Sequence, residues 1–124
     1  MPQTKAVIIT GASDGIGKTM ALAFARRGYR LGLIARREAL LNEVASHCLN
    51  SGAPSAEVCA VDVTDIALFR ERLKALLAKL GDVEIFVANA GIGDTVPPTQ
   101  DGSEHAIRMV DLNIKAAFVG IETM

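Results

Sequence analysis

Short apolar runs alternate with amphipathic segments along this chain. The runs are rich in β-branched residues and end at glycine or polar residues, which is typical of buried strands. The segments between them repeat apolar residues at helical spacing. The predicted strands are residues 5–9, 30–35, 57–61 and 83–88. The predicted helices are residues 16–27, 38–50, 66–80 and 103–124.

This alternation predicts an α/β fold, in which a parallel sheet is covered by helices on both faces. Parallel strands need crossover connections, and these pack against the sheet with a right-handed sense. The chain has 124 residues and shows no repeat or interdomain linker. Residues 1–124 are therefore predicted to form a single domain.

A glycine-rich loop, T-G-A-S-D-G-I-G at residues 10–17, joins the first predicted strand to the first predicted helix. Glycines let the backbone approach a ligand closely, and a helix start offers unpaired N–H groups and the positive end of the helix dipole. The loop therefore suits a diphosphate group. Its spacing is G-x-x-x-G-x-G, which differs from the G-x-G-x-x-G form of many dinucleotide sites.

Four segments with candidate chemistry directly follow the four predicted strands. They are residues 11–17, 36–37, 62–63 and 89–91. The carboxyl ends of parallel strands lie at one edge of a sheet, where ligands of such folds bind. These segments are therefore expected to share one rim.

Composition and net charge limit the classes of binding partner that we expect for this chain. The formal net charge is −1, with 50% hydrophobic and 22% charged residues, so we expect no general attraction to nucleic acid or membrane. The apolar runs are too short to span a bilayer, and the N-terminus shows no secretory signal. Cys48 and Cys59 are predicted to fill the core of a cytoplasmic protein. Since neither they nor His47 and His105 have metal-ligand spacing, no metal site is expected.

Residues 103–124 carry apolar side chains on two sides of the predicted helix. A four-stranded sheet covers only one side, so the second side is expected to pack against another copy of the chain. The sequence therefore predicts a homo-oligomer formed through this helix.

Together, the motifs resemble those of the short-chain dehydrogenase/reductases. The glycine-rich loop, Asp62-Val63, Asn89-Ala90-Gly91 and Asn113 occur in that family's order, and the resemblance covers essentially the whole chain. It is a resemblance to the N-terminal half of the family fold. It implies a Rossmann-like parallel sheet of about four strands in the order 3-2-1-4, truncated after the fourth strand and the following helix.

The resemblance also implies a binding site for a nicotinamide cofactor. The glycines of the loop, with Ile16, would lie along the pyrophosphate. Asp62 and Val63 would face the adenine, and residues 89–91 would line the adenosine ribose and steady the sheet edge. The residues assigned to the cofactor are Gly11, Ser13, Asp14, Gly15, Ile16, Gly17, Arg36, Arg37, Asp62, Val63, Asn89, Ala90 and Gly91. From the residues alone, Asp62 could instead cap a helix and Asn89 could form a turn.

Arg36 decides the predicted choice of cofactor. An NAD site generally has an acidic side chain at the end of the second strand, whereas this chain has Arg36 and Arg37 there. One charge-assisted hydrogen bond of roughly 1.5–3 kcal/mol to a 2′-phosphate corresponds to about ten- to hundredfold in affinity. NADP(H) is therefore predicted over NAD(H), with a second bond from Ser13. Asp14 stands where the family often has a basic residue, and a purely solvated arginine pair would give no preference.

The family's chemistry is hydride transfer to or from a carbonyl or alcohol carbon. The catalytic set is a serine, a tyrosine with a lysine four residues later, and an asparagine. Only the asparagine is matched here, by Asn113, since the sole tyrosine, Tyr29, has no lysine four residues on. The chain is therefore expected to be a fragment or a shortened gene product that does not turn over substrate alone.

Two other functions are open on the sequence. A non-catalytic NADP(H)-binding module, such as a sensor or regulatory partner, fits because the cofactor motifs are present and most catalytic residues are not. An ATP or GTP hydrolase is suggested by Gly17-Lys18-Thr19, which mimics the end of a P-loop. The spacing argues against it, because five residues rather than four separate Gly11 from Gly17.

Overall fold

The computed structural model of the protein describes residues 5–89, in which four strands alternate with three helices. The elements are β1 (Ala6–Thr10), α1 (Gly15–Arg26), β2 (Arg30–Ala35), α2 (Glu38–Ser51), β3 (Ala56–Ala60), α3 (Ile66–Leu80) and β4 (Ile85–Val87). The predicted helix at residues 103–124, with Asn113, lies outside the described residues, as do Ala90 and Gly91.

The four strands form one parallel sheet in the order β3-β2-β1-β4. The predicted fold class and strand order are therefore confirmed. The main difference is at β4, which is three residues long rather than the predicted six. Its ladder with β1 runs from Ile85 to Val87, and the Glu84 amide just before it still donates to the Ala6 carbonyl at 3.0 Å. After Val87 the chain turns at once, since the Asn89 amide bonds to the Val87 carbonyl.

Both faces of the sheet are covered, which explains why β1 and β2 are apolar without alternation. The face against α1 and α2 carries Val7, Ile9, Leu31, Leu33 and Ala35. The face against α3 carries Ala6, Ile8 and Ile34. All these side chains are buried, so the central strands form the middle of two cores.

α1 packs through a stripe of small residues. Its buried residues are Gly17, Ala21 and Ala25, each four positions from the next. Ile16, by contrast, is 72% exposed. Ile16 lies one residue, or about 100° of helical rotation, away from Gly17. These small buried residues let the helix approach the sheet more closely than large ones would.

Side chains hold both ends of α3. At its start, the Asp65 carboxylate accepts a hydrogen bond from the Leu68 amide at 3.3 Å. At its end, the Arg30 guanidinium donates to the carbonyl of Leu80, and to that of Asp82 just beyond. These bonds satisfy helix-end groups that have no partner within the helix.

The two cysteines are free and buried, as predicted. Burial raises the pKa of the Cys48 thiol to about 11. Burial also raises the pKa of Cys59, against the lowering effect of the charges on Arg72 and Lys79. Within residues 5–89, no group of three or more histidine, cysteine, aspartate or glutamate side chains could hold a metal ion. No helix of this part of the chain is long and apolar enough to cross a membrane.

We expect a Cys48→Ala substitution to change the pH dependence of stability. The unfolded thiol ionises near its ordinary pKa of 9.0, whereas the folded thiol stays neutral up to about pH 11. Its contribution to the free energy of unfolding is therefore complete at pH values below the unfolded pKa. As the pH rises from the unfolded pKa to the folded one, this contribution falls by up to about 1.4 kcal/mol per pH unit. Urea unfolding should show the wild-type advantage over Cys48→Ala shrinking across this interval. A constant difference would contradict the assignment.

Candidate functional site

Hydrogen bonds join the carboxyl ends of the four strands into one edge. The Ala12 amide donates to the Ile34 carbonyl at 3.1 Å, which ties the glycine-rich loop to the end of β2. The Val61 amide donates to the Ala35 carbonyl at 2.9 Å, which ties the end of β3 to β2. Asn89, just after β4, bonds to the end of β1 and the loop. The predicted segments, as far as residue 89, therefore lie side by side.

Two glycines of the loop are needed for different reasons. Gly15 has a φ of +56°, a conformation that residues with a Cβ rarely adopt, yet a Cβ there would meet nothing within 4 Å. At Gly17 the requirement is lack of space rather than backbone conformation. A Cβ at Gly17 would lie 2.0 Å from the Gly11 carbonyl oxygen and 2.8 Å from the Asn89 side-chain nitrogen. The start of α1 therefore sits directly against the end of β1.

This close approach leaves a helix N-terminus facing the edge of the sheet. The first helical hydrogen bond runs from the Lys18 amide to the Asp14 carbonyl at 3.2 Å. The amides of the residues before Lys18 therefore have no acceptor in the preceding turn, and the positive end of the helix dipole lies at the same place. The open space beside Gly15 leaves room for an anion next to these amides. This geometry fits the pyrophosphate of a dinucleotide.

Thr10 and Asn89 connect β1 to β4 at this edge. The Thr10 hydroxyl is buried, donates to the Val87 carbonyl at 3.3 Å and accepts from the Asn89 amide at 2.9 Å. The Asn89 side chain donates to the Gly11 carbonyl at 3.3 Å. Asn89 thus forms a turn and also steadies the sheet edge, while its contact with a ribose stays a prediction. Sequence reasoning missed the role of Thr10, although a polar residue ending an apolar strand was a signal.

Asp62 builds the turn that leads into α3. Its carboxylate accepts from the Thr64 amide at 2.9 Å, and its carbonyl accepts from the Asp65 amide at 3.0 Å. Val63 packs against the core on the α3 side. The helix cap considered for Asp62 is provided by Asp65 instead, and Asp62 forms the turn before it. The adenine contacts of Asp62 and Val63 stay predictions.

Arg36 and Arg37 follow β2 at the same edge. Both are exposed, and within residues 5–89 neither has a carboxylate partner. The bond from Ala12 to Ile34 brings Ser13 and Asp14 of the loop to the same corner. These two exposed guanidinium groups, offset by the exposed Asp14 carboxylate, thus give this corner a positive character suited to a phosphate.

Ile16 lies in the first turn of α1, next to the glycine-rich loop, and is exposed rather than in the core. It is the second residue of α1 and the most exposed large apolar side chain in residues 5–89. An exposed isoleucine beside a phosphate cradle offers an apolar contact to whatever occupies the edge. The predicted place of Ile16 beside the cofactor stays a prediction.

The fold and this edge together define a parallel α/β domain with a nucleotide-type phosphate cradle at the carboxyl ends of its strands. The family model for short chain dehydrogenases matches residues 5–124. The chain belongs to this family. Membership leaves the P-loop alternative without support.

Individual proteins are also similar in sequence to this chain. An 11-beta-hydroxysteroid dehydrogenase-like protein, 4A, from Arabidopsis thaliana is 41% identical over 90 residues, which cover 73% of this chain and 30% of the relative. An uncharacterized oxidoreductase from Myxococcus xanthus is 34% identical over 113 residues, covering 91% of this chain and 44% of the relative. This chain therefore spans less than half the length of either.

A solved structure shows the same architecture. The alcohol dehydrogenase from the archaeon Thermococcus sibiricus, described as complexed with 5-hydroxy-NADP, superposes with a TM-score of 0.85 at 32% identity. The match covers 98% of this chain and 52% of that protein. The Rossmann-like fold of the chain is thus that of known short-chain dehydrogenases.

Gly17→Ala should destabilise the protein more than Gly15→Ala. The first places a methyl group against a backbone carbonyl and should cost about 3 kcal/mol, because α1 or the loop must move. The second adds only the strain of a left-handed alanine, about 1 kcal/mol. Chemical unfolding of the two variants gives the comparison. An equal or smaller loss for Gly17→Ala would mean that α1 does not contact the loop as described.

Thr10→Val should lower the free energy of unfolding by about 1–3 kcal/mol, since it keeps the shape of the side chain but removes the buried hydroxyl. Thr10→Ser keeps the hydroxyl and should recover most of that loss. Hydrogen exchange at the Asn89 amide should speed up in the valine variant only. Equal exchange in both variants would rule out a hydroxyl bridge between β1 and β4.

Proposed function

We propose that this chain is the cofactor-binding part of an NADP(H)-dependent oxidoreductase that interconverts carbonyl and alcohol groups. The observation that carries the proposal is the corner formed by Arg36, Arg37 and the glycine-rich loop. An NAD site would present a carboxylate at the end of β2, where it accepts hydrogen bonds from the ribose hydroxyls. Here the same place presents exposed guanidinium groups, which suit a 2′-phosphate.

The residues present fit the adenosine and pyrophosphate parts of such a cofactor. The amides at the start of α1 would hold the pyrophosphate, beside the space left by Gly15. Arg36, with Ser13, would hold the 2′-phosphate, and Asp62 with the Val63 backbone would face the adenine. Asn89, with the following Ala90 and Gly91, would line the adenosine ribose. That a relative from Thermococcus sibiricus is described with 5-hydroxy-NADP supports this assignment.

The bound cofactor would supply or accept the hydride. The protein supplies proton transfer and orientation, and here the residues at hand cover only part of that work. Asn113 would anchor a water relay to the reacting group. Because Tyr29 has no lysine four residues later, we infer that the isolated 124 residues bind cofactor without turning over a carbonyl or alcohol substrate.

Two further properties belong to the proposal. We place the protein in the cytoplasm, and we propose that it self-associates through residues 103–124.

A non-catalytic NADP(H)-binding module is the alternative function, favoured by the same absence of a tyrosine–lysine pair within this sequence. Adding in trans a polypeptide that carries the family's serine and tyrosine–lysine pair, and following NADPH oxidation with a panel of aldehydes and ketones, would separate the two.

Arg36→Glu should abolish the preference for NADPH over NADH. Loss of the charge-assisted bond and gain of a repulsive carboxylate should weaken NADPH binding by about ten- to hundredfold relative to NADH. Isothermal titration calorimetry with both cofactors measures the ratio directly.

The matched control is Arg27→Glu, which makes the same charge change at the exposed C-terminal end of α1, away from the site. It should leave the ratio unchanged. If both variants shift the ratio equally, the preference comes from overall charge and not from the corner at β2.

A further inference from the structure

The outer side of β3 is an open sheet edge within residues 5–89, because β3 pairs there with β2 alone. The amide of Leu31 bonds to the Ser55 carbonyl, and the amide of Val61 bonds to the Ala35 carbonyl. In a parallel ladder, alternate residues of a strand bond to the same neighbour. The main-chain groups of Val58 and Ala60 therefore turn away from β2, towards the open edge.

A groove of about 440 Å³ runs along this edge. Val58, Cys59 and Ala60 of β3 form part of its lining, with Arg72 and Lys79 of α3 on one side. Glu38, the first residue of α2, also lines it. We call this feature the β3 groove.

The α3 side of the β3 groove is positively charged. Arg72 and Lys79 are both exposed, and their charges act on the Cys59 thiol, lowering its pKa against the larger effect of burial. Their field therefore reaches the strand itself. An acidic group beside β3 would meet two cations on the α3 side and the Glu38 carboxylate on the α2 side.

We propose that the β3 groove binds an extended peptide segment, which adds to the sheet beside β3 and carries carboxylates at alternate positions. Main-chain hydrogen bonds to an open edge supply affinity in this type of recognition, and alternate side chains supply specificity. Side chains of an added strand alternate between the two faces, so every second one would lie on the α3 side. Carboxylates at those positions match Arg72 and Lys79.

A second copy of the chain is a poorer occupant. Antiparallel pairing of two β3 strands in a continuous sheet would place both α3 helices on the same face. Arg72, near the middle of α3, would then approach the same residue of the other copy across the symmetry axis. Like charges there would oppose the pairing.

The test uses two labelled peptides of the same composition. Acetyl-Val-Glu-Val-Glu-Val-amide has both carboxylates on one face of a strand, and acetyl-Val-Glu-Glu-Val-Val-amide has them on opposite faces. Fluorescence anisotropy with the full chain should show tighter binding of the alternating peptide. Hydrogen exchange should show new protection at the amides of Val58 and Ala60, with no change at those of Glu57 and Cys59, which face β2. Equal binding of both peptides, or no binding of the alternating one, would overturn the proposal.

Charge reversal supplies the matched comparison. The double variant Arg72→Glu with Lys79→Glu should bind the alternating acidic peptide about tenfold more weakly. It should bind the same peptide with lysine in place of glutamate more tightly than the wild type does. Lys74→Glu with Arg26→Glu makes the same net change outside the β3 groove and should have little effect. Equal weakening by both pairs would show attraction to overall charge only. Protection of Val58 and Ala60 without peptide, together with dimers in sedimentation, would show that a second copy occupies the edge.

Discussion

The contact between the first turn of α1 and the Gly11 carbonyl governs the organisation of this protein. At a position where a Cβ would lie 2.0 Å from that oxygen, only a bare backbone fits, so Gly17 sets how near the helix can come to β1. The same contact aims the helix N-terminus at the edge of the sheet, where its unpaired amides become useful. Ala21 and Ala25, the other buried residues of α1, are also small, so the helix stays close to the sheet along its length. Stability and binding geometry therefore share one cause.

Much of this architecture could be read from the sequence. The alternation of apolar runs with amphipathic segments gives the parallel sheet and its two covered faces. All seven elements of residues 5–89 were predicted, β2 and α3 with the observed ends and the others with shifted ends. The common edge followed from the rule that parallel strands end together. The buried face of α1 was not predictable from large side chains, since Gly17, Ala21 and Ala25 carry almost no apolar signal. Leu49, a large apolar residue of α2, is 49% exposed, because a hydrophobic residue need not be buried.

The chemistry of the site was predictable only in part. Spacing and order identified the segments, but the bond network around Thr10 and Asn89 joins residues 79 positions apart and leaves no local pattern. Asp62 illustrates a further limit, because one carboxylate can serve a turn and a ligand, and sequence does not rank the two. Arg36 is different. Its charge and its place after β2 carry the cofactor hypothesis in both the sequence and the structure.

The long separation between Thr10 and Asn89 also bears on the order of folding. Bringing β4 beside β1 closes a loop that contains nearly every other described element, and such distant pairings are entropically costly and slow to form. The phosphate cradle is complete only after that closure, since Asn89 is one of its supports. A nucleotide that binds there would favour molecules in which β4 is paired with β1. It would thereby stabilise the pairing at which local unfolding is expected to begin.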